Sequence, residues 1–192
     1  MIDFWLYLKL GLTHVLDWQA YDHVLFLIVL VAAYTFSNWK RILILVSLFT
    51  LGHTFSLLLA TYNMVTVSGK WIEFFIPITI LITAIYNIKS AGKRNSNENV
   101  GLFYILTIFF GFIHGFGFAS YFKMISGGNE ILPLIEFSLG IEIAQIIVVT
   151  LVLILSFIFQ TIFSFSKRDW VLVISSMVTG LTIPMLQYAW PL

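Results

Sequence analysis

The chain has 192 residues, of which 60% are apolar, 10% are charged and none is cysteine, and its mean hydropathy is +0.99. Soluble domains contain about 25% charged residues, so this composition predicts an integral membrane protein and excludes an ordinary soluble domain. The net charge of +1 argues against a nucleic-acid partner, and the lack of cysteine excludes disulfides, thiolate metal sites and a cysteine nucleophile.

The first 18 residues, MIDFWLYLKLGLTHVLDW, are an apolar stretch that Asp3 and Lys9 interrupt. No basic region precedes this stretch and no small-residue cleavage site follows it, so it lacks the pattern of a cleaved signal peptide. We predict a short amphipathic or half-inserted helix at the membrane interface.

Six apolar segments follow, each at least as long as the roughly 17–25 residues with which an α-helix crosses a bilayer. They cover residues 20–36, 42–62, 71–88, 100–122, 132–165 and 170–189. The fifth is longer than one straight crossing needs, so we expect it to be tilted or bent. The predicted fold class is all-α: a polytopic membrane helix bundle in which residues 1–192 form a single transmembrane domain in contact with membrane lipids.

Basic residues mark the expected cytoplasmic side of this bundle. The loops after the first, third and fifth segments contain seven of the ten Lys and Arg residues: Lys40, Arg41, Lys89, Lys93, Arg94, Lys167 and Arg168. Short loops rich in Lys and Arg remain in the cytoplasm, so we predict that both termini face outward.

With this orientation, all the histidines and most of the acids fall in the outer half of the membrane. These residues are His14, Asp17, Asp22, His23, His53, Glu73, His114, Glu136 and Glu142. A charged side chain inside a bilayer costs about 2.5–3.5 kcal/mol on insertion scales, so such groups pair, face a cavity or bind a ligand. Imidazoles and carboxylates without sulfur suit nickel, cobalt, zinc, iron or manganese. The sequence therefore predicts a divalent-metal site shared by several spans.

The predicted ligands of this site are His23, His53, His114, Asp22 and Glu142. Weaker candidates, either lining a vestibule or holding the ligands in place, are His14, Asp17, Glu73 and Gln145. Ordinary structural interpretations exist as well. A buried histidine can hydrogen-bond a neighbouring helix, Asp22 can cap the helix that it begins, and Glu73 or Glu136 can lie at the interface.

Glycines surround the predicted ligand His114 in the stretch GFIHGFGFA. Gly111 and Gly115 are four positions apart, and small residues at this spacing let another helix approach closely. Such packing stabilises a bundle in any case, and it would also set the distances between ligands on different spans.

Five stretches, taken in order, give the chain a specific resemblance: HVLDWQAYDHVLFL, FTLGHTFSLLLA, IEFFIPITILITAIYNI, GFIHGFGFA and SLGIEIAQ. Together they resemble the HupE/UreJ family of small bacterial membrane proteins. That family is associated with hydrogenase and urease accessory genes, and its members are regarded as nickel permeases. The resemblance therefore implies a multi-pass protein of the bacterial inner membrane that handles a divalent metal ion.

Two of these stretches also resemble, more distantly, the nickel/cobalt transporters. The pair Asp22–His23 after an upstream histidine is similar to their signature of a histidine, four residues and then Asp-His, and FTLGHT is similar to their second histidine motif. Here seven residues separate His14 from Asp22, so an equivalent role for His14 does not follow from the motif.

Three classes of function remain open at this point. The favoured one is a divalent metal-ion transporter, or metal-handling permease, of the nickel/cobalt type. Because the chain is small for a transporter, a homo-oligomer is possible. The alternative is an intramembrane zinc-dependent hydrolase acting at the outer leaflet, in which three histidines and a carboxylate hold the ion. The third is an accessory subunit that carries a metal or cofactor and only binds a partner membrane protein.

Overall fold

The computed structural model describes residues 2–18, 21–92, 100–126 and 131–191, and every regular element in these ranges is helical. The all-α membrane bundle predicted from the sequence is therefore confirmed. The elements are α1 (Ile2–Val15), α2 (Asp22–Val31), a 3-10 turn (Phe36–Asn38), α3 (Trp39–Thr61), α4 (Gly69–Ser90), α5 (Val100–Ser126), α6 (Ile131–Thr161) and α7 (Lys167–Tyr188).

Five of these helices, α3 to α7, are long and apolar enough to cross a membrane. They correspond to the second to sixth segments predicted from the sequence. The longest is α6 with 31 residues, or about 46 Å at 1.5 Å per residue, and many of its outward-facing isoleucines and leucines are exposed. Such a surface is expected to contact lipid, as in a multi-pass membrane protein.

The prediction of a first span over residues 20–36 was wrong. The corresponding helix, α2, has only ten residues, or about 15 Å, which is half of the hydrocarbon thickness. Helix α2 ends at Val31, and a new element begins at Thr35, the N-cap residue of the 3-10 turn. The side chain of Asn38 accepts from the backbone N–H of Thr35 at 3.2 Å, in a capping box.

Helix α1 is the short N-terminal helix predicted from the sequence, and it packs along α6 through one face while Trp5 and Leu6 on another face are exposed. The two helices touch where Gly11 faces Gly140. A Cβ atom at Gly11 would overlap the carbonyl of Phe137, and one at Gly140 would overlap the carbonyl of Leu8. Only glycine permits this approach, and Leu8 and Val15 on the same helix are buried.

Helices α1 and α2 follow one another past α5, the described residues 16–18 and 21 between them are not helical, and we interpret the pair as the first crossing. Four ring contacts, in order along both chain segments, define this path: Tyr7 with Phe122, His14 with Phe118, His23 with His114, and Phe26 with Phe110. The first crossing is therefore a broken helix.

Helices α3 and α5 pack closely at the level of this break. A Cβ atom at Gly111 would overlap the carbonyl of Phe49, and one at Gly115 would overlap the carbonyl of His53 and the hydroxyl of Ser56. This contact agrees with the small-residue spacing in the sequence, and it holds the backbones on either side of His53 and His114 together.

Candidate metal centre

All four histidines of the chain meet at the break between α1 and α2. His14 is at the end of α1, His23 is the second residue of α2, and His53 and His114 lie near the middle of α3 and α5. The distances between ring centroids are 4.6 Å for His14–His23, 5.6 Å for His14–His53, 5.7 Å for His23–His53 and 5.1 Å for His23–His114.

The possible ligand atoms form two groups that share His23. In the three-histidine group, nitrogens of His14, His23 and His53 all lie within 4.8 Å of one another. In the Asp22 group, the same holds for a carboxylate oxygen of Asp22 and nitrogens of His23 and His114. Zinc–nitrogen bonds are about 2.0–2.1 Å long, so two atoms bound to one ion lie at most about 4.2 Å apart, and small side-chain movements are enough to bring each group onto one ion.

Several of these ring nitrogens are buried without a hydrogen-bond partner among the described residues. They are Nε2 of His14, Nε2 of His23, both nitrogens of His53 and Nδ1 of His114. Leaving a buried polar atom unsatisfied costs about 1–3 kcal/mol, and an ordinary packing histidine avoids that cost. A cation site requires nitrogens of this kind, which can offer their lone pairs to one ion.

Asp22 fixes the ring of its chain neighbour. Its Oδ1 atom accepts from the backbone N–H of His23 at 2.8 Å and lies 3.0 Å from Nδ1 of the same residue. A carboxylate can only accept, so Nδ1 carries the proton and Nε2 presents its lone pair. Metal-binding histidines commonly have such a carboxylate partner. Tyr21, not Asp22, is the N-cap residue of α2.

His114 is oriented by a residue that the sequence did not single out. Oγ1 of Thr79 on α4 lies 3.2 Å from Nε2 of His114 and itself donates to the carbonyl of Ile76 at 2.7 Å. The hydroxyl of Thr79 therefore accepts from Nε2, and Nδ1 of His114 presents the lone pair. A polar residue recurring every fourth position in an otherwise apolar helix, as in Thr79, Thr83 and Asn87, is the signal that could have identified it.

Aromatic rings pack against the cluster on several sides. Phe118 contacts the ring of His14 at a centroid distance of 4.0 Å, and Phe49 lies 5.1 Å from His114. The side chains of His53 and His114 are almost completely buried. In such surroundings a carboxylate that offsets the charge of a cation strengthens its binding, and Asp22 is a carboxylate within reach of two of the histidines.

Glu142 and Gln145 lie outside both ligand groups and belong to a row of polar contacts between α3 and α6. Ser47 donates to Oε1 of Glu142 at 2.5 Å, and Thr50 donates to Oε1 of Gln145 at 3.4 Å. Gln145 is fully buried. The structure thus brings four of the five predicted ligands together and adds His14, which the sequence analysis had ranked lower.

Two clefts lead to the cluster, one to each ligand group. The Glu73 cleft, of about 420 Å³, lies between α4, α7 and the start of α2, and Asp22 and Glu73 both line it. The His14 cleft, of about 600 Å³, lies between α1 and α5, and His14 and Asp17 both line it. Glu73 and Asp17 are exposed, so each stands at an entrance and not among the ligand atoms.

Comparisons with known proteins agree with this arrangement at the level of the family. No curated protein and no solved structure matches the chain. The family model described as HupE / UreJ protein matches residues 1–190, which is nearly the whole chain. This multi-pass membrane protein, with its four histidines gathered at a broken helix, is therefore a member of the HupE/UreJ family.

Proposed function

We propose that the protein is a divalent metal-ion permease of the nickel/cobalt type, with the ion as its transported substrate. The observation that carries the proposal is the set of buried imidazole nitrogens without partners, next to Asp22. Neutral imidazoles with one carboxylate suit nickel, cobalt and zinc, whereas hard cations such as magnesium prefer oxygen ligands. The ligands proposed are His14, His23, His53, His114 and Asp22.

A path for the ion extends from the cluster toward the far end of α4. Thr79, Thr83 and Asn87 are buried on one face of that helix. A cavity of about 140 Å³ lies beside Thr83, and a smaller one, of about 40 Å³, lies beside Asn87 and Ser90. The two share the wall residues Leu30, Tyr86 and Phe103. These polar groups and cavities supply the inner half of a route that begins at the Glu73 cleft.

The same end of the bundle carries the basic residues, which supports an orientation with both termini outside the bacterial inner membrane. Lys40 and Arg41 begin α3, Lys89 ends α4, and Lys167 begins α7. Lys93 and Arg94, which contribute to the sequence prediction, lie outside the described residues. A cation entering at the Glu73 cleft would then move inward, toward the cytoplasm.

Transport into sealed vesicles tests the proposal. We expect purified protein in liposomes to take up Ni²⁺ or Co²⁺, and we expect His23→Ala to abolish uptake because both ligand groups lose a member. Ser175→Ala is the matched control, since Ser175 is a fully buried polar residue of α7, a helix that contributes to neither ligand group. Wild-type protein that is folded and yet moves no divalent ion in either direction would refute the proposal.

A second candidate is the zinc-dependent hydrolase, and one observation favours it. His14, His23 and His53 form the three-histidine donor set of many catalytic zinc sites, and the His14 cleft gives that set an opening. Tightly held zinc that survives purification and does not cross the membrane would support this candidate, whereas an exchangeable ion that accumulates in vesicles supports the permease.

A further inference from the structure

We infer that the substrate ion has two adjacent binding positions that share His23 and are filled one at a time. Position A is bounded by His14, His23 and His53, and position B by Asp22, His23 and His114. This inference rests on the proposed transport function and specifies how the ion passes through the site.

The geometry separates the two positions. The ligand atoms of each group lie within 4.8 Å of one another, but the two groups do not merge into one set. Ring contacts join His23 to His14, His53 and His114. Among the described residues, no such contact joins His114 to His14 or His53. His23 therefore stands between two triangles of donors, one on each side.

Only one ion can occupy the pair at a time, for two reasons. A neutral imidazole has a single lone pair. An ion at A takes it on Nε2, while Nδ1 donates to Asp22, and an ion beside Asp22 at B takes it on Nδ1, the nitrogen next to that carboxylate, so His23 can bind an ion at only one position at a time. Two dications on either side of one ring would also repel each other strongly in surroundings this apolar. The second position is therefore an alternative to the first and not half of a dinuclear centre.

Each position has its own access to the surface. Asp22 of position B lines the Glu73 cleft, and His14 of position A lines the His14 cleft. The two positions also differ in charge, because only B contains a carboxylate. The inward path begins beside Thr79, which contacts His114 of position B, so an ion captured at A exchanges His14 and His53 for Asp22 and His114 before it moves inward. It keeps His23 but changes from Nε2 to Nδ1 of that ring, and the ring proton moves from Nδ1 to Nε2, so that no proton is gained or lost.

Cobalt(II) bound to single variants tests the two positions, because its visible spectrum and X-ray absorption report the number of imidazole ligands. We expect one ion per chain in the wild type. His14→Ala should retain one ion at B, with two imidazoles and a carboxylate, and His114→Ala should retain one at A, with three imidazoles. The double variant should bind none, since both groups are then incomplete. Ser175→Ala serves again as the control for folding.

Three results would overturn the inference while leaving metal transport intact. Identical spectra for His14→Ala and His114→Ala would indicate one merged site, as would loss of binding in both single variants. Two ions per wild-type chain would indicate a dinuclear centre. Wild-type protein that neither binds nor transports an ion would refute the proposed function as well as the two positions, so the two failures are distinguishable.

Discussion

The carboxylate of Asp22 lies 3.0 Å from Nδ1 of His23, its neighbour in the chain, and it also accepts the backbone N–H of that residue at 2.8 Å. Adjacent residues within a helix point about 100° apart, and this contact forms because Asp22 and His23 are the first two residues of α2. The break in the first crossing thus creates the contact, and the contact leaves Nε2 of His23 for an ion.

Removal of the charge at Asp22 should weaken metal binding without unfolding the protein. Asp22→Asn retains an oxygen beside His23 but offers no negative charge to the ion. Loss of a carboxylate partner of a metal-binding histidine typically reduces affinity about 10–100-fold, and we expect a decrease in this range by calorimetric titration with Ni²⁺. Asp169→Asn, at an exposed acid that begins α7, should bind as tightly as the wild type. Equal affinity in Asp22→Asn and the wild type would contradict a role for Asp22.

The contact of Gly115 with α3 should be sensitive to a single methyl group. In Gly115→Ala the new Cβ atom meets the carbonyl of His53 and the hydroxyl of Ser56, so α3 and α5 must separate. Such overpacking costs about 1–3 kcal/mol, and it should lower both the melting temperature in detergent and the affinity for the ion.

The matched control for this substitution is Gly180→Ala on α7, because a Cβ atom there meets nothing within 4 Å. Alanine is the better helix former by about 0.5–1 kcal/mol, so this variant should be as stable as the wild type or slightly more stable. Similar melting temperatures for the two glycine variants would show that the α3–α5 contact does not constrain the site.

Asn87 holds the end of α2 in place. Its Nδ2 atom donates to the carbonyl of Val29 at 2.6 Å, and Asn87 is buried. Asn87→Leu should destabilise the protein by about 1–3 kcal/mol, because a buried carbonyl in the last turn of α2 then loses its side-chain partner. Thermal unfolding followed by circular dichroism measures the loss. Thr182→Val is the control, since the hydroxyl of Thr182 donates within its own helix, to the carbonyl of Val178.

Glu73 should affect the capture of the ion more than its transport at saturation. Because Glu73 is exposed and lines the same cleft as Asp22, its charge raises the local concentration of cations. Glu73→Gln should increase the KM for uptake severalfold at low ionic strength and leave the maximal rate unchanged. The effect should fade as salt is added, because screening removes such attraction. A fall in the maximal rate with no change in KM would contradict a role in capture.

The sequence predicts most of the bundle because five of its spans are unbroken apolar runs, which α3 to α7 reproduce. It does not predict the broken first crossing. The sequence places Leu16, Asp17 and Trp18 in one N-terminal amphipathic stretch that runs to residue 18, whereas in the structure α1 ends at Val15 and these residues follow it. The cause is tertiary: α1 is drawn into the bundle by the contact between Gly11 and Gly140, and no local pattern encodes that contact.

The sequence predicts which kinds of side chain form the candidate site better than it predicts which of them come together. Histidine and carboxylate residues inside apolar segments are visible in the sequence, and His23, His53, His114 and Asp22 do come together. Glu142 and His14 show what the sequence does not predict. Which residues face one another depends on the rotation of each helix, so Glu142 contacts Ser47 on α3, while His14 reaches His23 and His53 across the break.

The most direct measurement is calorimetric titration of Ni²⁺ and Co²⁺ into purified wild-type protein and the His23→Ala variant in detergent. We expect one ion per wild-type chain and no measurable binding to the variant, because His23 belongs to both ligand groups. A folded His23→Ala variant that binds the ion as tightly as the wild type would contradict the claim that these histidines form the metal site.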